Sequence, residues 1–300
     1  MRIKQLIQNN RTVQAIAGFE TKKEKTDPRV WIVFILLAVV LFRKFGGLCI
    51  YGLRHHTKIS PFVFPAFFTS DMKILMYLCF AALMCNAPFV DSHTPELLLR
   101  SGRKPWLRGC ILYVLRVSLR FTAFLLGFSI LMIFPTISFS EVWGSTVYRM
   151  LGNLRIADEL DRFLLNILPV SDQFVQTVKP FTAFIYTAFF MWLSFAFLGL
   201  LIYALNIVSK SKNVGLLTAG FLILMDPVIQ NVADYGPVMR YVSWYSPISW
   251  SSVSTQADIS GPGYVTLTYV LCAYLVGIIM FSAIILWFGK KMEIRVYGPR

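Results

Sequence analysis

The feature that most constrains this chain is a series of long apolar runs, which recur between residues 31 and 289. About 20 apolar residues are enough for a helix to cross the hydrocarbon core of a bilayer. Only 15% of the residues are charged, compared with about 25% in a typical soluble domain. We therefore expect an all-α, polytopic membrane protein, with residues 1–300 forming a single transmembrane domain.

The apolar runs predict six transmembrane helices, at 31–53, 72–90, 110–134, 181–208, 213–233 and 264–289. The first run is the least regular, because Arg43 and Lys44 interrupt it. These two cations must lie near the headgroups or extend toward them. Arg116 and Arg120 are four residues apart, so they share one helix face, and we expect them to reach the inner surface in the same way.

The net charge of +14 would suggest nucleic-acid binding in a soluble protein. Here the cations lie in the short connections between spans, so we expect no nucleic-acid partner and interpret the charge by the positive-inside rule. With the N-terminus inside, the inner segments carry 17 Lys and Arg and the outer segments 9. This bias places both termini in the cytoplasm. Residues 1–27 contain no apolar leader, so we expect the first span to serve as an uncleaved anchor.

The N-terminal arm, residues 1–30, has apolar residues at rough helical spacing, beginning with Ile3, Leu6 and Ile7. This spacing predicts a helix that lies along the inner membrane surface in contact with lipid. Two long connections, 135–180 and 234–263, are predicted on the outer side. Long loops without their own structure are uncommon, so we expect short helices in both.

The chain offers few residues for chemistry. It has no GxxxxGK[ST] phosphate-binding motif, its histidines fall in predicted loops, and its cysteines lack metal-ligand spacing. We therefore expect no catalytic residue, metal or cofactor in this chain. Asp226 is an acid well inside a predicted span, which makes it a functional candidate, although the following Pro227 also fits a structural role at a helix break. The Tyr- and Trp-rich stretch 239–250 fits interface anchors or a ligand cage.

The loop at 91–109, DSHTPELLLRSGRKPWLRG, combines basic residues with a leucine run. Pro95 and Glu96 suit the first turn of a helix, and Gly102 suits the turn that ends it. The positive-inside rule explains the arginines and lysines but not leucines exposed to the cytosol. We interpret this segment as a short helix that docks into a partner.

Four stretches carry a resemblance to a known family: FVFPAFFTSD (62–71), NAPFVDSHTPELLLRSGRKPWLRGCILY (86–113), WLSFAFLGLLIYALNI (192–207) and WYSPISW (244–250). In this order, and with six spans, the chain resembles the membrane-spanning permease subunits of type-two ABC exporters, in particular small six-span permeases of Gram-positive bacteria. The first span and the outer loop around Trp143 depart from the family pattern.

The resemblance implies a bacterial cytoplasmic-membrane permease that pairs with a second copy or a related permease. A separate ABC ATPase would bind ATP and Mg. The coupling segment would contain Glu96, Leu97, Arg100, Arg103, Lys104 and Trp106, with the interfacial helix over Ile3 to Ala17. Asp226, Pro247 and Trp250 are candidates for the pathway or gate. Apolar spans with few charges favour an amphipathic, peptide or lipid-like substrate.

Two other functions remain open from the sequence. An intramembrane enzyme acting on a lipid would need further acids or histidines at the depth of Asp226. A non-transporting sensor or immunity protein would bind a peptide at the outer loops and would need no ATPase.

Overall fold

The fold is taken from a computed structural model that describes residues 2–68, 70–91, 93–139, 142–152, 172–236, 238–252 and 265–291. The side chains of residues 2–9, 149–152 and 172–173 lie outside this description. In the described part the chain is helical, as the sequence predicts.

Five helical units in the described residues are long and apolar enough to cross a membrane. They are Pro28–Arg54, Arg103–Thr136, Pro180–Ser209, Val214–Asp234 and Leu267–Lys291. Each coincides with a predicted span, and the protein is therefore a multi-pass membrane protein. A helix suits the bilayer because it satisfies its backbone hydrogen bonds internally.

The N-terminal region contains α1 (Arg2–Thr26), α2 (Pro28–Leu41), a π-helical turn (Phe42–Gly46) and α3 (Gly47–Arg54). Asp27 separates α1 from α2 and caps α2, since its side chain accepts a hydrogen bond from the Arg29 backbone N–H at 3.0 Å. The first predicted span is thus one continuous helical unit that passes through Arg43 and Lys44 in the π-helical turn.

The second predicted span is shorter than expected. Helix α4 covers Ser70–Leu83, and its 14 residues rise about 21 Å, less than the roughly 30 Å of a hydrocarbon core. The chain then turns through residues 84–88. The structure therefore does not confirm six spans. Helix α4 nevertheless lies in the core, where Met76, Tyr77 and Phe80 are buried.

The remaining helices follow in chain order. They are α5 (Thr94–Ser101), α6 (Arg103–Ile133), α7 (Ser145–Gly152), α8 (Asp172–Thr177), α9 (Pro180–Ser209), α10 (Val214–Asp234) and α11 (Leu267–Phe288). Five 3-10 turns complete the described set, at Phe64–Phe67, Phe134–Thr136, Met239–Tyr245, Ser249–Ser251 and Gly289–Lys291. Both long connections thus contain short helices, as predicted.

Contacts between helix ends define the direction of each helix. At one end, called the α5 end, Arg29 Nη1 donates to Asn86 Oδ1 at 3.4 Å and Arg103 Nη1 donates to the Lys290 carbonyl at 2.6 Å. At the opposite, distal end, Ser70 donates to Gln230 Oε1 at 2.5 Å. Helices α2, α6 and α10 therefore run from the α5 end, and α4, α9 and α11 run back. Helix α1 and the turn after α11 both lie at the α5 end.

Helix α9 occupies the centre of the bundle, and aromatic side chains from α4 and α6 converge on it. The Phe195 ring lies 4.8 to 4.9 Å from the rings of Tyr77, Phe80 and Phe121. These centroid distances are typical of favourable aromatic pairs. The three helices are thus held together in the middle of the bundle by these aromatic ring contacts as well as by apolar burial.

The second half of α1 packs against α6. Ile16 lies against Gly109, where a Cβ atom would come within 2.5 Å of the isoleucine side chain. Glu24 Oε2 accepts a hydrogen bond from Arg120 Nη2 at 2.6 Å. Residues later in α1 contact residues later in α6, so the two helices run in the same direction over this stretch. Arg120, predicted to extend toward the headgroups, instead pairs with a glutamate.

The side chains of Ile3, Leu6 and Ile7 lie outside the described residues, although the backbone there is part of α1. The placement of α1 on the membrane surface therefore stays a prediction.

Candidate functional site

A buried ion pair joins two helices near the distal end of the bundle. Lys73 Nζ, from the first turn of α4, lies 3.4 Å from Asp226 Oδ2 of α10, and the two side chains are 2% and 0% exposed. Sequence reasoning singled out Asp226 but not Lys73. No local pattern connects the two residues, and only the packing of α4 against α10 brings them together.

Three side chains donate hydrogen bonds to Asp226. Ser246 donates to Oδ1 at 2.9 Å, Ser249 donates to the same oxygen, and Gln230 Nε2 donates to Oδ2 at 3.1 Å. Gln230 in turn accepts the bond from Ser70. A buried charge is tolerated when it is paired and its remaining lone pairs are satisfied. The network therefore ties together α4, α10 and the connection between α10 and α11.

The other two candidates for the pathway or gate lie beside this network. The Pro247 carbonyl accepts a hydrogen bond from the Tyr274 hydroxyl at 2.6 Å. Trp250 is buried, donates from Nε1 to the Ser243 carbonyl at 3.0 Å, and packs edge-on against Tyr274 at 5.4 Å. The structure thus brings Asp226, Pro247 and Trp250 together, as a packed joint between α10, α11 and the connection that joins them.

The network links α4, α10 and the connection after α10, and two of the chain's histidines lie at the ends of other helices. The His55 ring lies tilted against the Tyr51 ring with centroids 4.5 Å apart, and His93 precedes α5 at the other end of the bundle. Among the residues that the structure describes, no group of three or more His, Cys, Asp and Glu is placed to hold a metal ion. These contacts make the network a structural link between α4, α10 and the connection that follows α10.

A second candidate region is the surface of α5. Pro95 and Glu96 lie in its first turn, as the sequence predicts. Glu96 Oε1 accepts a hydrogen bond from Arg100 Nη2 at 2.7 Å, in an ion pair whose side chains are 62% and 77% exposed. Leu99 is 89% exposed. The helix therefore presents a leucine beside an exposed charge pair.

The turn after α5 connects it firmly to two long helices. Gly102 has φ +77°, a conformation that glycine adopts without strain, and α6 begins at the next residue. Arg103 bonds the carbonyl of Lys290 just after α11, and Lys104 is exposed. Trp106 is fully buried, so the structure does not place its indole on the α5 surface.

A shallow groove of about 230 Å³ separates α5 from α1. Its lining residues are Phe19, His93, Glu96, Leu97 and Arg100. Leu97, one of the predicted coupling residues, therefore lies in the groove rather than fully in solvent. Phe19 was not singled out from the sequence, because the apolar spacing of α1 did not reveal which residues would face α5.

The start of α5 is attached to α1 through charged residues. Asp91 accepts hydrogen bonds from the Thr94 hydroxyl at 2.8 Å and from the His93 backbone N–H at 3.1 Å, and Lys23 Nζ lies 2.6 Å from its Oδ2. Partial burial works to raise the pKa of Asp91, but the bonds from Lys23 and Thr94 outweigh it and leave the pKa lowered. The carboxylate therefore stays charged and holds this junction.

Comparisons with protein-family models, curated proteins and solved structures found no match to this chain.

Proposed function

We propose that this protein is the permease subunit of an ATP-driven ABC exporter, which couples to a separate ATPase through residues 91–109. The observation that carries the proposal is α5, a short helix with an exposed leucine and an exposed charge pair at one end of a multi-pass bundle. Burying a leucine side chain is worth about 1.5–3 kcal/mol, which makes Leu99 a suitable anchor in a partner's pocket. The sequence resemblance points to the same segment.

The attachment of α5 suits the transmission of a movement. Only Gly102 separates α5 from α6, which has 31 residues and is about 46 Å long, enough to run the length of the bundle. The Arg103 bond to the carbonyl of Lys290 connects the same junction to the end of α11. A push on α5 by an ATPase would therefore move two long helices together.

At the distal end, the Lys73–Asp226 network would hold the pathway closed in the resting state. A shift of α10 relative to α4 would separate the ion pair and release the Ser246–Ser249 segment. A pathway for an amphipathic, peptide or lipid-like substrate would then open, between this chain and a second copy or a related permease. The excess of Lys and Arg favours the α5 end, with both termini, on the cytoplasmic side of a bacterial membrane.

The test is gentle extraction of the tagged chain from its native membrane, followed by identification of what co-purifies. We expect an ATPase with a P-loop in equal amount. The Leu99→Asp variant and a charge swap, Glu96→Arg with Arg100→Glu, should lose it, since both alter the α5 surface. The swap keeps an i,i+4 ion pair in the less favourable order, which costs only a few tenths of a kcal/mol, so α5 itself should persist. Lys58→Glu, an exposed charge reversal at the distal end, serves as the control.

The outcomes separate the parts of the proposal. Wild-type protein that emerges without any ATPase, under several detergents, would contradict the exporter function and favour a sensor or immunity protein. Equal recovery of the ATPase with the Leu99→Asp variant and the swap would leave the exporter intact but refute docking through α5.

A further inference from the structure

Glu20, on α1, is a buried carboxyl group next to a cavity. Its side chain is 4% exposed, and Lys23 Nζ lies 3.9 Å from Oε2, beyond hydrogen-bonding distance. The same Nζ is only 2.6 Å from Asp91 Oδ2. Lys23 therefore lies near two carboxylates, and it is closer to that of Asp91, in the segment before α5.

Among the residues whose side chains the structure describes, the other groups around Glu20 give it little positive charge. On α1, Glu24 also lines the cavity, and its own charge is matched by Arg120 of α6. Asp91 approaches from the segment before α5. The remaining titratable neighbours are neutral side chains of α6 and α9, namely Cys110, Tyr113 and Tyr203.

Near neutral pH, the protonated and ionised forms of Glu20 are both populated. Burial raises its pKa to about 7, with a partial offset from Lys23 and a further increase from Asp91. The adjoining cavity, of about 260 Å³, is also lined by Asp27, Asn86 and Tyr113 and is open on one side. Water, and with it protons, can therefore reach the carboxyl group without unfolding of α1.

We propose that Glu20 is a proton-binding site that controls how firmly α1 is held against α6 and the segment leading into α5. With a proton on Glu20, the carboxyl group is neutral and Lys23 belongs to Asp91 alone. When the proton leaves, an unmatched negative charge is buried under α1, and Lys23 is drawn between two carboxylates. The link between α1 and α5 then loosens. This site operates whatever α5 binds and does not rest on the exporter function.

The size of the effect follows from proton linkage. The docked form of α1 binds the proton with a pKa of about 7, whereas a released α1 would return Glu20 to its ordinary value of 4.5. Lowering the pH from 8 to 6 should then raise the ratio of docked to released α1 about tenfold. The docked state is favoured at the lower pH because a raised carboxyl pKa means that the docked state binds the proton more tightly.

The test is hydrogen exchange of the full chain in lipid nanodiscs at pH 6 and pH 8, corrected for the intrinsic exchange rate. We expect the opening of residues 12–26 and 84–94 to be about tenfold more frequent at pH 8. Glu20→Gln should abolish this difference, since its side chain keeps its size and cannot ionise. Asp234→Asn, which removes an exposed acid at the distal end of α10, is the matched control and should keep the tenfold change.

A second variant keeps the proposal testable if Glu20→Gln folds poorly. Lys23→Met removes the cation that favours ionised Glu20, so the midpoint of the pH transition should move upward. The proposal is overturned by a wild-type protein whose exchange does not depend on pH, by a tenfold change that survives in Glu20→Gln, or by a midpoint that Lys23→Met leaves unchanged.

Discussion

Replacing Lys73 by methionine removes the buried cation beside Asp226 and keeps a long, unbranched side chain in its place. Asp226 retains its bonds from Ser246, Ser249 and Gln230 but loses its counter-charge. Since both side chains of the pair are almost fully buried, water cannot replace the lost partner. We expect the variant to be severely destabilised, with α4 less firmly attached to α10.

The expected size comes from the geometry. Two unit charges at the observed 3.4 Å, in an effective dielectric of about 20, attract each other by about 5 kcal/mol. Removing one partner of a buried pair typically costs about 3–5 kcal/mol. The double variant, Lys73→Met with Asp226→Asn, removes both charges, and its new amide can still accept from Ser246. Its stability should return to within about 1 kcal/mol of wild type.

The assay is equilibrium unfolding in mixed micelles of a mild detergent and SDS, for the wild type, both single variants and the double variant. With each single variant costing at least about 3 kcal/mol and the double variant about 1 kcal/mol, the double-mutant cycle should give a favourable coupling energy of about 5 kcal/mol. The exposed Glu96–Arg100 pair, treated with Glu96→Gln and Arg100→Met, is the control and should give no more than about 0.5 kcal/mol. A coupling energy for Lys73 and Asp226 as small as that of the control would refute the ion pair as the link between α4 and α10.

Three further predictions concern two contacts between helices and the ionisation of Glu20. Gly215→Ala should destabilise the protein by about 1–3 kcal/mol, because the new Cβ would collide with the Ile202 carbonyl. Gly220→Ala is its control: a Cβ there meets nothing within 4 Å, so the variant should be neutral or stabilising. Thermal unfolding in detergent compares the two variants. Asn206 donates to the Ala87 carbonyl at 3.0 Å and accepts from the Gly215 N–H at 2.7 Å. Asn206→Leu should therefore cost about 2 kcal/mol or more in the same assay. Equal stability of the variant and the wild type would contradict the contribution of these two hydrogen bonds. The stability of the wild type should fall as the pH rises from 4.5 to 7, because Glu20 has a raised pKa in the folded state. Glu20→Gln should remove up to about 3 kcal/mol of that fall. Identical pH profiles for the two proteins would contradict this role of Glu20.

The apolar runs determined most of the helical architecture. Five of the six predicted spans correspond to long helices, because a chain in lipid must satisfy its backbone hydrogen bonds within each helix. Helix α5 was also predictable, since Pro95 and Glu96 mark its start and Gly102 its end. The second span was predicted too long. Hydropathy measures the tendency to be buried, and it does not register that Asn86 and Pro88 favour a turn within an apolar run.

The candidate sites depended on the tertiary structure. Sequence reasoning found Asp226, Pro247 and Trp250 separately, but the pairing of Asp226 with Lys73 exists only after α4 packs against α10. Arg120 meets Glu24 for the same reason. Each of these pairs joins residues far apart in the chain, and nothing in the local pattern around one member specifies the other.

The sequence by itself thus determined that the chain crosses a membrane several times and presents a charged, leucine-bearing helix at one end. Those properties follow from local composition, because the length and spacing of apolar residues decide whether a segment forms a helix and enters a bilayer. Only the tertiary structure decided which charges are buried, which are paired and which side chains remain exposed. Trp106 and Leu99 illustrate the difference: both are apolar residues of one predicted loop, yet packing buries the first and leaves the second on the surface.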